Sequence, residues 1–253
     1  MPPPVFDSRD RFYRRHAPHS RRWHSFQVLF RETDLWIRAA QNLQKEGLAA
    51  VLNCRRQLHA YADQNPLFLT SFKPLPQDPF APSIVKEMLE AAATARVGPM
   101  AAVAGAVAQH VGRVLGTLAG EVIVENGGDC YLDLKEEITV GLYAGPASPF
   151  SNQLGLRFKS DRFPLGVCTS SGTVGHSVSL GRADSVTVVS PCAAVADAAA
   201  TALGNLTQSS RDISRVLERA QSMAKVEGVV VTIGDRMGAW GHVELVPLNL
   251  PLS

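Results

Sequence analysis

The first 21 residues carry no regular hydrophobic period; rich in proline and arginine, they predict an irregular arm. Periodicity begins at residue 22. Apolar and aromatic residues over 25–30 and 35–39 predict two strands, with polar Glu32-Thr33-Asp34 as the turn between them. Over 39–61, Leu43, Leu48, Val51, Leu52 and Leu58 fall near helical spacing and predict an amphipathic helix. Five prolines between 64 and 82 interrupt the pattern and predict a loop or linker. Pro82-Ser83 opens a further helix through Ile84, Met88, Leu89 and Ala92, which Gly98-Pro99 stops. From 100 to 118 runs a helix of small residues with two stripes. Val103, Val107, Val111 and Leu115 form an apolar edge; Ala101, Gly105, Ala108, Gly112 and Gly116 form a nearly bare one. The bare edge fits close packing on a neighbouring element, and it fits a backbone surface open to a flat ligand or a phosphate.

Beyond residue 120 the pattern becomes mostly that of strands. Strands are predicted at 121–125, 130–134, 138–143, 154–158, 166–168, 177–180 and 186–189. Helices follow at 191–203 and 209–225, then strands at 228–233 and 242–246. Strand clusters bracketed by helices, without regular β–α–β alternation, argue an α+β class over a doubly wound sheet. The arm at 1–21 would precede a single domain at 22–253, in one or two lobes.

Composition narrows the function classes. With 45% hydrophobic and 19% charged residues among 253, the chain reads as globular and not disordered. A net charge of +2 is too small for a nucleic-acid or membrane-surface protein, so neither partner is expected. The charge is uneven: residues 1–24 hold six arginines against Asp7 and Asp10, a net +4, which leaves −2 for the rest. The arm fits arginine forks folded onto a ligand's phosphates, and it fits a solvated tail or the arm of a homodimer. The longest apolar run, 100–108, falls short of the roughly 20 residues a membrane-spanning helix needs. Cys54, Cys130, Cys168 and Cys192 are isolated, with neither disulfide-scaffold nor zinc spacing, so a reduced, cytoplasmic protein is expected.

Three polar islands carry candidate chemistry. Asn126-Gly127-Gly128-Asp129 lies between two strand patterns, the strongest short hairpin signal. It also offers a ligand exposed amides and one carboxylate. The second island runs from Cys168 through Thr169, Ser170, Ser171 and Gly172 to His176 and is dense in hydroxyls. It has no P-loop lysine, no G-x-G-x-x-G and no G-x-S-x-G elbow, so a turn donating hydrogen bonds to phosphates or a ring fits better than nucleophilic serine catalysis. The third is a helix punctuated by Ser190 as N-cap, Pro191 at its first position and Gly204 after its end. Within it Asp197 and Thr201, four apart, project from one face, roughly opposite Val195. Val195, Ala198, Ala202 and Leu203 are expected to form the buried side. A carboxylate and a hydroxyl so paired suit Mg²⁺, which takes one or two carboxylates plus phosphates and water. They equally suit a solvated polar face, with Thr201 bonded back to the carbonyl of 197.

Taken in order, these segments resemble the ApbE family, the FAD:protein FMN transferases. That family carries a glycine-rich helix, a strand into Gly-Gly-Asp, a Thr-Ser-Gly turn and a helix of the form Asp-Ala-x-Ala-Thr-Ala. The counterparts are 98–112, Gly127-Gly128-Asp129, Thr169-Ser170-Ser171-Gly172 and Asp197-Ala198-Ala199-Ala200-Thr201-Ala202. The resemblance implies a T-fold-related α+β architecture of mixed sheet layers packed with helices, FAD or FMN as ligand, and Mg²⁺ on Asp197 and Thr201. It places Gly127, Gly128, Asp129, Thr169, Ser170, Ser171 and Gly172 against the flavin. The chain also departs from the pattern. Where the transferases have Lys-Gly-Tyr-Ala-Val-Asp it has Ala104-Gly105-Ala106-Val107-Ala108-Gln109. The His-x-x-Asp-Pro segment is reduced to His176 without Asp-Pro. These departures set the chain in a distinct branch.

Three functions follow. One is a flavin-nucleotide enzyme in which Mg²⁺ neutralises phosphate charge and Asp129 or His176 handles the acceptor's proton. The second is a non-catalytic protein keeping the pocket for a flavin or another nucleotide. The third is sulfur or redox handling by Cys130, Cys168 and Cys192, each within two residues of a motif.

Overall fold

The computed structural model describes residues 22–172 and 180–248. Its centre is an antiparallel sheet built from β1 (His24–Phe30), β2 (Thr33–Ala39), β3 (Val122–Asn126), β4 (Asp129–Asp133), β7 (Leu165–Ser170), β8 (Ser185–Ser190), β9 (Gly228–Ile233) and β10 (Arg236–Gly241). The strands lie side by side in that order. A smaller antiparallel sheet, β11 (Glu244–Pro247), β6 (Leu154–Phe158) and β5 (Ile138–Gly141), covers part of one face. Helices α1 (Gln44–Gln64), α2 (Leu67–Thr70), α3 (Ser83–Ala95), α4 (Val103–Ala119), α5 (Ala193–Leu206) and α6 (Ile213–Gln221) cover the other. The α+β layering expected from the sequence is the one observed.

The period-two alternation of the strands divides two cores. On β3, Val122 and Val124 join Ala108, Leu115 and Leu203 under the helices, while Ile123 joins Leu156 and Phe158 under the small sheet. Helix α5 lies between β7, β8, α3 and α4 and is buried on nearly every side. Alanine makes that possible, because a helix sheathed in methyl groups can approach a sheet and two helices at once. The closest approach is to β7. A Cβ on Gly166 would stand 2.3 Å from the Cα of Ala193, so the strand must be bare there.

Several boundaries differ from expectation. Ala39 closes β2 instead of opening a helix, and α1 begins at Gln44. The proline-rich loop contains the short α2, and α4 is preceded by a 3₁₀ turn at Pro99–Ala102. Strand β7 extends through Thr169 and Ser170, which were expected in a turn. Pairing with β4 on one side and β8 on the other overrides the local preference of hydroxyl residues for turns. Ser190 closes β8, so α5 starts at Ala193 and runs past Gly204 to Leu206. Of the strand expected at 177–180, residues 177–179 lie outside the described residues, and Leu180 is not in a strand. β10 was not expected, since Gly238 and Gly241 weaken its signal; Gly238 is where α6 presses on the sheet through Ile213.

The bare contact at Gly166 yields a test. Gly166→Ala forces a methyl into the backbone of α5, so denaturant melts should report a loss of about 1–3 kcal/mol. An unchanged midpoint would mean that α5 sits farther from β7.

Candidate functional site

The site is set by the crossing of α4 and α5. At Gly105 the two backbones touch: a Cβ there would lie 2.3 Å from the carbonyl oxygen of Ala193 and 2.8 Å from Cβ of Asp197. Gly112 makes similar room for the ring of Tyr131. The bare edge of α4 is thus a packing surface at both positions. This contact brings each helix's first turn to a side chain of the other. Gly105 N donates to Asp197 Oδ2 at 2.8 Å, and the amide of Ala104 reaches the same carboxylate. In return Ala193 N donates to Gln109 Oε1 at 2.7 Å. Backbone donors that a helix's first turn leaves without intrahelical partners are therefore met across the crossing.

Gln109 is fixed in its turn. Its Nε2 donates to Glu87 Oε2 at 2.6 Å, and Arg113 donates to Glu87 Oε1 at 2.6 Å. His110 Nε2 lies 3.1 Å from Glu87 Oε2. Burial alone would raise the Glu87 carboxyl, but the hydrogen bonds from His110 and Arg113 outweigh it and hold the group at about 2.

The second carboxylate comes from the β3–β4 hairpin. Asn126 pairs with Asp129, while Gly127 and Gly128 take φ of 70° and 104°, as a two-residue primed turn requires. Asn126 Nδ2 donates to the carbonyl of Ala104 at 3.1 Å, pinning the hairpin to the start of α4. Gly128 N donates to Glu125 Oε1 at 3.0 Å. With Cys130 paired to Val167, Asp129 stands beside Cys168, and its carboxyl lies within the field of Asp197. Burial raises Asp129 well above the usual carboxylate range, and the charge of Asp197 adds to it. The Cys168 thiol and the Thr169 amide offset only part. Burial likewise lifts Asp197 to about 7 against the Gly105 and Ala104 amides. The Cys168 thiol is fully buried and raised well above its ordinary value, first by burial and then by the two carboxylates, so it stays a neutral donor. It lies 3.4 Å from the Ala193 carbonyl.

The structure therefore brings Gly127, Gly128, Asp129 and Asp197 together, with Thr201 one turn further along α5 and partly buried. It corrects the expectation that Asp197 lies on an open polar face, since the carboxylate is buried among α4, β4 and β7. Thr169 also departs from expectation. Alternation turns its hydroxyl to the opposite sheet face, 2.9 Å from Thr187 Oγ1, and only its backbone faces Asp129. Ser170 is buried where β7 ends, with Ser171 next. Gly172 gives its bare Cα to the backbone of Gly181, not to a flat ring, and its amide to Ala183 O at 2.9 Å. His176 lies outside the described residues. The cysteines are all free, and Cys130 points away from Cys168 by strand alternation. Gln109 and Glu87 were not anticipated; a glutamine directly after the apolar run 100–108 was the available signal.

Asp129 and Asp197 form a hard-oxygen pair whose mutual repulsion a divalent cation would relieve. Among the described residues no cluster of three His, Cys, Asp or Glu could hold a metal alone. The donor set suits Mg²⁺, which keeps positions for phosphate and water.

The raised Asp197 has a consequence for stability. The folded state holds this proton more tightly than the unfolded chain does. Its destabilising effect is absent below the ordinary aspartate range and grows as pH rises toward 7. Asp197→Asn keeps an acceptor for the α4 amides and removes the charge. In chelated, metal-free buffer it should match wild type near pH 4 and exceed it at pH 8 by up to about 4 kcal/mol. A difference independent of pH in denaturant melts would contradict this.

Comparison with known proteins agrees with the fold. Residues 14–236 match the model of a family described as AbpE bacteria. A UPF0280 protein of Methanococcus maripaludis strain C5 is 44% identical over 86% of this chain and 90% of its own. A UPF0280 protein of Methanocaldococcus jannaschii is 40% identical over 88% and 93%. Among solved structures, the apo flavinyl transferase ApbE of Pseudomonas stutzeri superimposes with a TM-score of 0.53 at 12% identity, over 87% of this chain and 94% of that one. The ApbE protein of Thermotoga maritima gives 0.56 at 13%, over 85% and 96%. Such low identities establish the fold alone, but the matched span and the close relatives establish the family. The chain is a member of the AbpE bacteria family, in the UPF0280 branch, with the fold of the ApbE flavin transferases.

Proposed function

We propose that this protein binds a flavin nucleotide, or a similar pyrophosphate ligand, through Mg²⁺ held by Asp197, Thr201 and Asp129. The observation that carries the reading is the buried pair itself. Two carboxylates are kept within each other's field, and none of the principal influences on either is a cationic side chain. Such a pair is costly unless something positive joins it. Bound there, the cation would neutralise pyrophosphate charge. The named kinship of the solved neighbours with flavin transferases supports a flavin as the ligand.

The chain's own residues have separate roles in this reading. The amides of Gly105 and Ala104 orient Asp197 through one oxygen. Thr201 offers a neutral oxygen one turn away. Asp129, at the hairpin tip, supplies the second carboxylate, whose raised proton affinity a bound cation would lower.

A second reading, nucleotide binding without transfer, has its own support. Gln109 stands where the resembled motif has an acid, and its carbonyl oxygen caps α5 while its amide is held by Glu87. The position is fully buried and fully engaged. Ala104 replaces the motif's lysine. We therefore place binding first and expect transfer to be weak.

Calorimetric titration with FAD, FMN and ADP, with and without Mg²⁺, tests binding. Wild type should bind only with Mg²⁺. Asp129→Asn should weaken that binding by about 10–100-fold, and Thr201→Val by less, since water replaces a neutral ligand. Mg²⁺-independent affinity, unchanged in both variants, would overturn the cation site. Incubation with FAD, Mg²⁺ and a threonine-bearing acceptor should leave little covalent FMN; rapid attachment would overturn the order of the two readings.

A further inference from the structure

Cys168 is a buried group at the acid pair to which the proposed function gives no role. It lies on β7, fully buried in the core under the helices. Continuing the β4–β7 register by one pair sets it opposite Asp129. Side chains facing each other in such a pair stand about 4.5–5.5 Å apart at Cβ, and the thiol donates to the Asp129 carboxyl. The amide of Thr169 reaches the same carboxyl. Two successive residues of β7 therefore hold Asp129.

A thiol has one hydrogen to give, and two acceptors compete for it. The Ala193 carbonyl oxygen is 3.4 Å from Sγ. That oxygen opens α5, where the amide one turn further on satisfies it. A carboxylate is the stronger acceptor, because its charge assists the bond. The hydrogen therefore belongs to Asp129. Resting on the cation reading above, we infer that Cys168 is a positioning residue: its thiol hydrogen fixes the Asp129 carboxyl beside Asp197 and leaves lone pairs free for the cation. An ionised carboxylate has about four acceptor sites, so the two donors of β7 do not exhaust it. The weakness of S–H as a donor suits the task. A second strong donor would compete with the cation for the oxygen it needs, whereas a thiol orients that oxygen and yields. Cys168 touches neither cation nor nucleotide in this scheme and acts through Asp129.

Calorimetric titration of the full chain with ADP and Mg²⁺ compares Cys168→Ala, which loses the donor, with Cys168→Ser, which keeps one of similar shape. Cys168→Ala should weaken binding about tenfold or more, while Cys168→Ser stays within about threefold of wild type. A thiol that only fills space gives the opposite order, because an apolar site tolerates a methyl better than a hydroxyl. Cys168→Ser losing at least as much affinity as Cys168→Ala would overturn the positioning role. The S–H stretching band in chelated buffer, identified by its loss in Cys168→Ala, supplies a readout that needs no cation. Removing the acceptor in Asp129→Ala should move that band to higher frequency, as a weakened hydrogen bond requires. A band that does not move would equally overturn the role. If the band moves but wild type binds ADP no better with Mg²⁺ than without it, the bond from Cys168 to Asp129 stands and the cation reading fails.

Discussion

Two helices that cap each other hold this site together. Asp197 of α5 receives the first-turn amides of α4, and Gln109 of α4 receives the first amide of α5. Neither cap works without the close crossing, and the crossing exists because position 105 has no side chain. The hairpin joins through Asn126 on the Ala104 carbonyl, which sets Asp129 beside Asp197. Geometry for two helices, one hairpin and one acid pair thus descends from one bare contact.

The arrangement sets opposing forces against each other. Amide donors stabilise a charged Asp197, while burial and Asp129 oppose it; the balance leaves both carboxyls with raised proton affinity. Glu87, linked to α5 through Gln109, shows the contrasting outcome. It is partly buried, but hydrogen bonds from Arg113 and His110 keep it low. Among the described residues, the difference between the two acid environments is the cationic partner Arg113 at Glu87. The Glu87 network supplies its own cation; under the function proposed above, the pair at Asp129 and Asp197 would take one from solution.

Much of this was legible in the sequence, for identifiable reasons. Asn126-Gly127-Gly128-Asp129 encodes its turn locally, because left-handed φ at two successive positions nearly demands glycine. The β-branched apolar runs of β3 and β9 marked strands, and the small-residue stripe of α4 marked a packing face. The environment of α5 was less legible. Alanine carries no amphipathic pattern, so the periodicity of one helix could not report that three neighbours enclose Asp197. Thr169 was misplaced because a run of hydroxyls looks like a turn until two strands pair with it. The role of Gln109 depends on a residue 84 positions away, which no local window contains.

Under the proposed function, the acid pair is a cation site held open by mutual capping. Anomalous diffraction from crystals grown with Mn²⁺ and ADP tests it most directly. A strong manganese peak between Asp129 and Asp197, with Gln109 still bonded to Ala193, is expected. No peak there, or a peak elsewhere with the two carboxyls in contact and sharing a proton, would contradict it.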